Sequence, residues 1–327
     1  MKLSFPSRTA GPSRTAGPSR TVGALAALAA LAVVNRVAAR RAERRHPPTG
    51  AFLDVDGVRL HYTDRGEGPP VVLIHGNAVS GADFDTSGLT ELLLPHHRVV
   101  IFDRPGFGHS TRPRGRVWTA EAQAALLYKA MRQLGLVRPV VVGHSWGTIV
   151  ALAIGVHHQR ELAGLVLLSG YYFATLRPDV PLVVLGAVPV LGDILGNTLS
   201  PLLGRLAVPL FRRMLFAPAA VPQRFREEYS AGMALRPSQI RATSVDGVLM
   251  IPGALQLRGE YEDLNLPVTI IAGEGDRIVF KRRSERLHDR IAGSVLQIVP
   301  GAPHGPPPGA GPGGRGDRAS RDARAPA

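Results

Sequence analysis

A serine hydroxyl becomes a useful nucleophile when the backbone lifts it clear of its neighbours and a base lies within reach. Gly143-His144-Ser145-Trp146-Gly147 has the composition for the first condition. It follows the apolar run VVV and precedes GTIVALAIGVHH, which places Ser145 at a strand-to-helix junction. A sharp turn there needs small residues two positions to either side, because larger ones would strike the adjoining strand and helix. The turn presents Oγ above the sheet, and the N-terminus of the following helix favours a developing oxyanion. The plainer alternative is a glycine-flanked serine that only caps a helix, and it leaves the strand in front of the motif without a role.

Two other strand ends bear on the same chemistry. His75-Gly76-Asn77 follows VVLI, at the place where such a sheet supplies a second oxyanion donor. The expected donors are the backbone N–H groups of Asn77 and Trp146. His75 itself reads as a structural histidine that shapes the turn. Asp103-Arg104-Pro105-Gly106-Phe107-Gly108-His109-Ser110 follows RVVIF and reads as a Gly/Pro loop with a structural role beside the elbow. Of the eleven histidines, His96, His97, His157 and His158 read as surface or helix-end residues.

The elements that must position these residues can be read from periodicity. AFLDVDGVRLHYTDRG is two strands joined at Asp56-Gly57. Short continuous Val/Ile/Leu runs, the mark of buried parallel strands, stand at 71–74, 98–102, 139–143, 165–169, 268–273 and 295–299. A helix between 102 and 139 has Thr119 as its N-cap, Glu121 in its first turn and Gly135 past its end. A hairpin followed by repeated strand–helix units predicts an α/β fold, a doubly wound and mostly parallel sheet. The core is expected over 51–170 and 263–304. Residues 171–262 break the rhythm with prolines and glycines inside apolar stretches, and they read as an inserted cap of short helices facing a pocket.

The ends have a different character. Residues 1–21 carry a SRTAGP repeat that cannot build a core, so disorder is expected there. Residues 22–50 combine VGALAALAALAVV with a basic linker. Thirteen apolar residues fall short of the roughly 20 that span a bilayer. Two readings stand: a signal-anchor or membrane-surface helix, and a leader ahead of a soluble enzyme. Residues 305–327, rich in Pro, Gly, Ala and Arg, are expected to be disordered.

The formal net charge of +14 is concentrated at these ends. Residues 1–50 hold Lys2 and eight arginines against Glu43, and 305–327 hold four arginines against two aspartates. Residues 51–304 are left with +4, so the charge argues for membrane or non-specific polyanion contact at the ends and is no sign of a nucleic-acid-binding face; no nucleic-acid partner is expected. The absence of cysteine excludes disulfides and thiolate metal sites. There is no metal-ligand cluster or phosphate-binding glycine loop, so no cofactor is expected.

From about 51 to 304 the chain resembles the α/β-hydrolase superfamily, in its esterase, lipase and perhydrolase-like branch with a helical cap. The motifs that carry the resemblance are HGN (75–77), DRPGFGHS (103–110), GHSWG (143–147), GEGD (273–276) and the histidine region at 300–304. The resemblance implies a nucleophile–acid–histidine order, with Ser145 as nucleophile, Asp276 as acid and His304 as base. Glu274, two residues earlier, is the rival acid. It also implies hydrolysis of an ester or related acyl bond in a small apolar substrate. A perhydrolase, a C–C hydrolase or a catalytically impaired binding protein are the alternatives. Serine at the elbow disfavours dehalogenase and epoxide-hydrolase chemistry, which use aspartate there. A bacterial chain of this kind would be inner-membrane-associated or cytoplasmic. Relatives carry a helix after the histidine loop, whereas here Pro303-His304 runs into GPPPGAGPGG. The expected consequences are an uncovered sheet face, a poorly anchored His304, and lower stability and activity.

Overall fold

Valine, isoleucine and leucine in unbroken runs cannot leave either face in water, so the strands they form must lie inside a sheet covered on both sides. The computed structural model describes residues 18–175 and 180–305, and in it eight strands build one such sheet. In chain order the elements begin with α1 (Pro18–Arg45), β1 (Ala51–Val55), β2 (Val58–Arg65) and β3 (Pro70–Ile74). The short helices α2 (Ala82–Thr86) and α3 (Leu89–Leu93) follow, then β4 (Arg98–Phe102), α4 (Ala120–Gln133), β5 (Val140–His144) and α5 (Gly147–His158). After β6 (Gly164–Leu168) come six helices: α6 (Val180–Ala187), α7 (Leu191–Asn197), α8 (Leu199–Phe216), α9 (Gln223–Glu228), α10 (Ala231–Ala234) and α11 (Pro237–Leu257). The chain then returns to the sheet with β7 (Val268–Gly273), α12 (Arg282–His288) and β8 (Val295–Val299).

The strand order is β1-β2-β4-β3-β5-β6-β7-β8, antiparallel in the first two pairings and parallel in the rest. Asp56 and Gly57 both have positive φ, as a tight hairpin requires. The helix expected after β4 has its N-cap at Thr119, whose hydroxyl accepts from the Ala122 N–H at 3.1 Å. From Gly147 to Gly155 every residue of α5 is buried, so this helix is apolar all round and sits in the centre of the core. The elbow at its N-terminus therefore rests on the fully buried stretch of this helix.

Two expectations about the ends need correction. The helix expected near 22–34 starts at Pro18, inside the segment expected to be disordered, and runs through the arginines to Arg45. Alanine and arginine are both good helix formers, so the apolar run and its basic linker form one continuous rod. Residues 1–17, the rest of the repeat, lie outside the described residues, as does the tail from 306 onward. The edge strand β8 is half-covered: none of its residues is buried, Val295 is 59% exposed, and Leu296 packs against the core.

Candidate active site

Ser145 sits at φ +51°, a left-handed conformation that costs a non-glycine residue energy and persists only where the surroundings impose it. Its N–H donates to the Leu168 carbonyl at 2.9 Å, which pins the turn to β6. The flanking glycines have a measurable reason. A Cβ at Gly147 would lie 2.2 Å from the Ile74 carbonyl oxygen, and one at Gly143 would lie 2.6 Å from the Gly147 carbonyl oxygen. The turn is tight enough that only hydrogen fits at either place.

Asp276 and His304 arrive from the ends of β7 and β8. One carboxylate oxygen of Asp276 accepts from the N–H groups of Ile278 and Val279, both at 2.8 Å. The other lies 2.8 Å from His304 Nδ1, and His304 Nε2 lies 2.9 Å from Ser145 Oγ. A carboxylate beside Nδ1 fixes the proton there, which leaves Nε2 free to accept from the serine hydroxyl. Burial alone would raise the Asp276 pKa. The neighbouring His304 ring and the two backbone N–H groups outweigh it and hold the carboxyl below its ordinary value. Glu274, the rival acid, is half exposed and lies 3.5 Å from Lys281.

The expectation of a loose histidine loop is overturned. His304 is 3% exposed. Its carbonyl accepts from His144 Nε2 at 2.9 Å, and the next residue, Gly305, donates to the Leu215 carbonyl at 3.2 Å. Further upstream, Gly275 donates to the Ala302 carbonyl and Glu274 to that of Val299. Backbone hydrogen bonds and one buried imidazole hold the loop.

The N–H groups of Asn77 and Trp146 have no protein acceptor among the described residues. The loop that carries Asn77 is held by Arg104, which is fully buried. Its guanidinium donates to the carbonyls of His75 and Gly76, both at 2.9 Å, and pairs with Asp246 of α11 at 2.5 Å. It also lies against the faces of Phe107 and Trp146, whose indole N–H donates to the Asp246 carbonyl. Arg104 thus ties the loop of Asn77, the elbow and α11 together. Sequence reasoning missed His144, Arg104 and Asp246. The only signal was charge and imidazole inside otherwise apolar or Gly/Pro segments. His75 behaves as expected, accepting from the Arg104 N–H and stacking edge-on to Phe107. A separate cavity of about 360 Å³ is lined, among others, by His61, Asp83, Asp103 and Tyr229, and by none of Ser145, Asp276 and His304.

Burial, and then the neighbouring His304 ring, pushes the pKa of His144 down to about 3. Between an unfolded value near 6.5 and that folded value only the unfolded chain takes up the proton, so stability falls as the pH drops through this window. At pH 5 the cost is about 2 kcal/mol. A His144→Gln variant keeps a donor for the His304 carbonyl. It should lose about 2 kcal/mol less than the wild type between pH 7 and pH 5. The Asp83 carboxyl, which burial pushes up to about 7, titrates in the opposite sense but is common to both proteins and cancels. Urea unfolding at the two pH values measures the difference, and equal losses would rule out a buried neutral His144.

The sequence pattern of the alpha/beta hydrolase fold family matches residues 69–306. A putative non-heme chloroperoxidase of Synechocystis is 29% identical over 259 residues, which cover 76% of this chain and 88% of that protein. An esterase of Thermogutta terrifontis, solved with malate bound, has a TM-score of 0.58 at 22% identity over 79% of this chain and 93% of its own. A membrane phospholipase A, described as a bacterial virulence factor, has a TM-score of 0.60 at 19% identity over 88% of this chain and 89% of its own. At such identities the two structures speak for the fold alone. Sheet order, elbow and family match agree, and the chain belongs to the alpha/beta hydrolase fold family.

Proposed function

We propose that the protein is a serine hydrolase that cleaves an ester or related acyl bond in a small apolar substrate. The observation that carries this reading is the continuous line Asp276–His304–Ser145, with 2.8 Å and 2.9 Å between successive polar atoms. Ser145 Oγ attacks the carbonyl carbon while its proton passes to His304 Nε2. The oxyanion that forms takes the N–H groups of Asn77 and Trp146, and Asp276 stabilises the imidazolium. Collapse of the intermediate breaks the bond to the leaving alkoxide, which receives the proton from His304. Water then repeats the sequence on the acyl-enzyme and releases the acid. The apolar cap favours an apolar acyl or alcohol group.

A fluorophosphonate probe tests the proposal directly: it should label the wild type and leave the Ser145→Ala variant unlabelled. Equal labelling of the two would reject the mechanism. A panel of esters, peracid-forming conditions and C–C-bonded diketones then separates acyl hydrolysis from its alternatives.

The N-terminal helix is read as a membrane anchor. Thr21–Arg45 is long and apolar enough to cross a bilayer, with mean hydropathy 1.9 over its most apolar 18 residues, of which 6% are buried. A signal sequence has the same character. Recovery of the intact chain in the membrane pellet after carbonate washing is expected, and full recovery in the supernatant would refute it.

A further inference from the structure

An amphipathic helix on a globular protein turns its apolar stripe inward. In α8 the stripe faces out. Leu199, Leu202, Leu203, Leu206, Leu210 and Met214 recur at spacings of three and four and are 41–75% exposed. Arg205 and Arg213 are also exposed, and α8 carries no acidic residue. Scattered exposed leucines are ordinary on a protein surface, but a row along a helix about 27 Å long is not.

What covers the row follows from the two ends of the helix. At its start stands Asn35 of α1. This amide is 3% exposed although its neighbours Val33 and Val34 are 63% and 56% exposed. Its Nδ2 donates to the carbonyls of Asn197 and Thr198, the junction between α7 and α8, at 2.9 and 2.6 Å. The apolar, exposed half of α1 before Asn35 therefore leaves the cap at the point where the leucine row begins. The basic half after Asn35 packs on the cap, where Arg236 pairs with Glu43 at 2.8 Å and Ala42 is buried. At its far end α8 meets the histidine loop through the bond from Gly305 to Leu215. One helix thus runs from the apolar rod to the loop that holds His304.

We propose that the exposed face of α8 and the apolar half of α1 form a single membrane-docking surface, and that the substrates of Ser145 are acyl esters already dissolved in the bilayer. If the apolar half of α1 lies in lipid, the two bonds from Asn35 hold the start of α8 at the lipid boundary. Arginines without acidic neighbours on α8 complement anionic headgroups, whereas a second copy docked face to face would oppose like charges. The substrate assignment rests on the hydrolase reading above. The docking surface does not.

The test uses the full chain with phosphatidylethanolamine–phosphatidylglycerol vesicles. In a Leu206→Trp variant the new indole should be quenched by brominated acyl chains, while the buried Trp118 and Trp146 contribute a constant background. The variant Leu203→Gln/Leu206→Gln/Leu210→Gln should hydrolyse a water-soluble short-chain ester within about twofold of wild type. It should lose about tenfold or more on a long-chain diacyl ester held in the vesicles, given the apolar contact removed. Absence of quenching overturns docking, and so does a loss that is equal for both substrates in a variant with unchanged melting temperature. Should the triple variant fail to fold, quenching of the single variant still decides. A wild type that turns over neither ester would defeat the hydrolase reading while leaving the quenching result to stand. A variant that only shifts a dimer to monomer in sedimentation, with quenching absent, assigns the row to a second copy instead.

Discussion

Replacing Ser145 by alanine is expected to lower kcat on any accepted ester by roughly 10⁴- to 10⁶-fold, with the folded state preserved. The hydroxyl is the only group at the elbow able to form the acyl-enzyme. The variant still adopts the same strained φ, because alanine meets the same backbone surroundings at that position. Loss of one side-chain hydrogen bond changes stability by about 1 kcal/mol. The more discriminating form of the experiment is a pair. Ser145→Ala and His304→Ala together should be no slower than either alone, since the serine, its base and Asp276 act as one unit. Additive losses would mean that the 2.9 Å contact between Oγ and Nε2 is not used in the reaction.

The second large effect falls on stability. Arg104 and Asp246 are both fully buried, and Asp246 also accepts from Arg112 at 2.8 Å and Gln123 at 3.3 Å. Substituting Asp246 by alanine leaves a guanidinium in the core without its counter-charge. Breaking one partner of such a pair costs about 3–5 kcal/mol, because the remaining charge has lost its solvent and its complement. For a domain of this size that corresponds to a melting temperature lower by roughly 6–20 °C. Because Arg104 also donates to the carbonyls beside Asn77, the folded fraction should show reduced kcat at low temperature with KM little changed. Thermal and urea unfolding of wild type and variant decide the matter. A difference under about 1 kcal/mol would show that the core tolerates the unpaired arginine by hydrating it.

Much of the fold was legible because a strand buried on both faces has little chemical choice. RVVIF, VTIIAG and VLQIV coincide residue for residue with β4, β7 and β8. The helix after β4 was legible from its cap, since a threonine hydroxyl at that position answers a specific unsatisfied N–H. The elbow was legible because its glycines stand two residues either side of the serine, although only Gly143 is required by a contact within the turn and Gly147 is required by the distant Ile74 carbonyl. What escaped the sequence is held by partners far apart in it. Asn35 meets a carbonyl 162 residues away, Arg104 an acid 142 away, and His144 a carbonyl 160 away. None of these has a local period or a turn signal. His144 is the clearest case: between a glycine and the serine it reads as a spacer, yet its ring anchors the loop that brings His304 into place. The reach of α1 was missed for a different reason. Apolar length was counted to the first arginine, whereas a helix continues for as long as its backbone bonds can be made.

The half-covered state of β8 carries a consequence for handling the protein at high concentration. Val295–Val299 reads VLQIV, without charge, proline or glycine, and its outer backbone groups have no neighbouring strand among the described residues. Such an edge is a template on which another extended chain can add by ordinary ladder hydrogen bonds. Slow, concentration-dependent fibre or oligomer growth seeded at this border should follow, unaffected by detergent that shields the cap. A charge at the exposed centre of this strand, as in Gln297→Lys, would be the simplest means to suppress it.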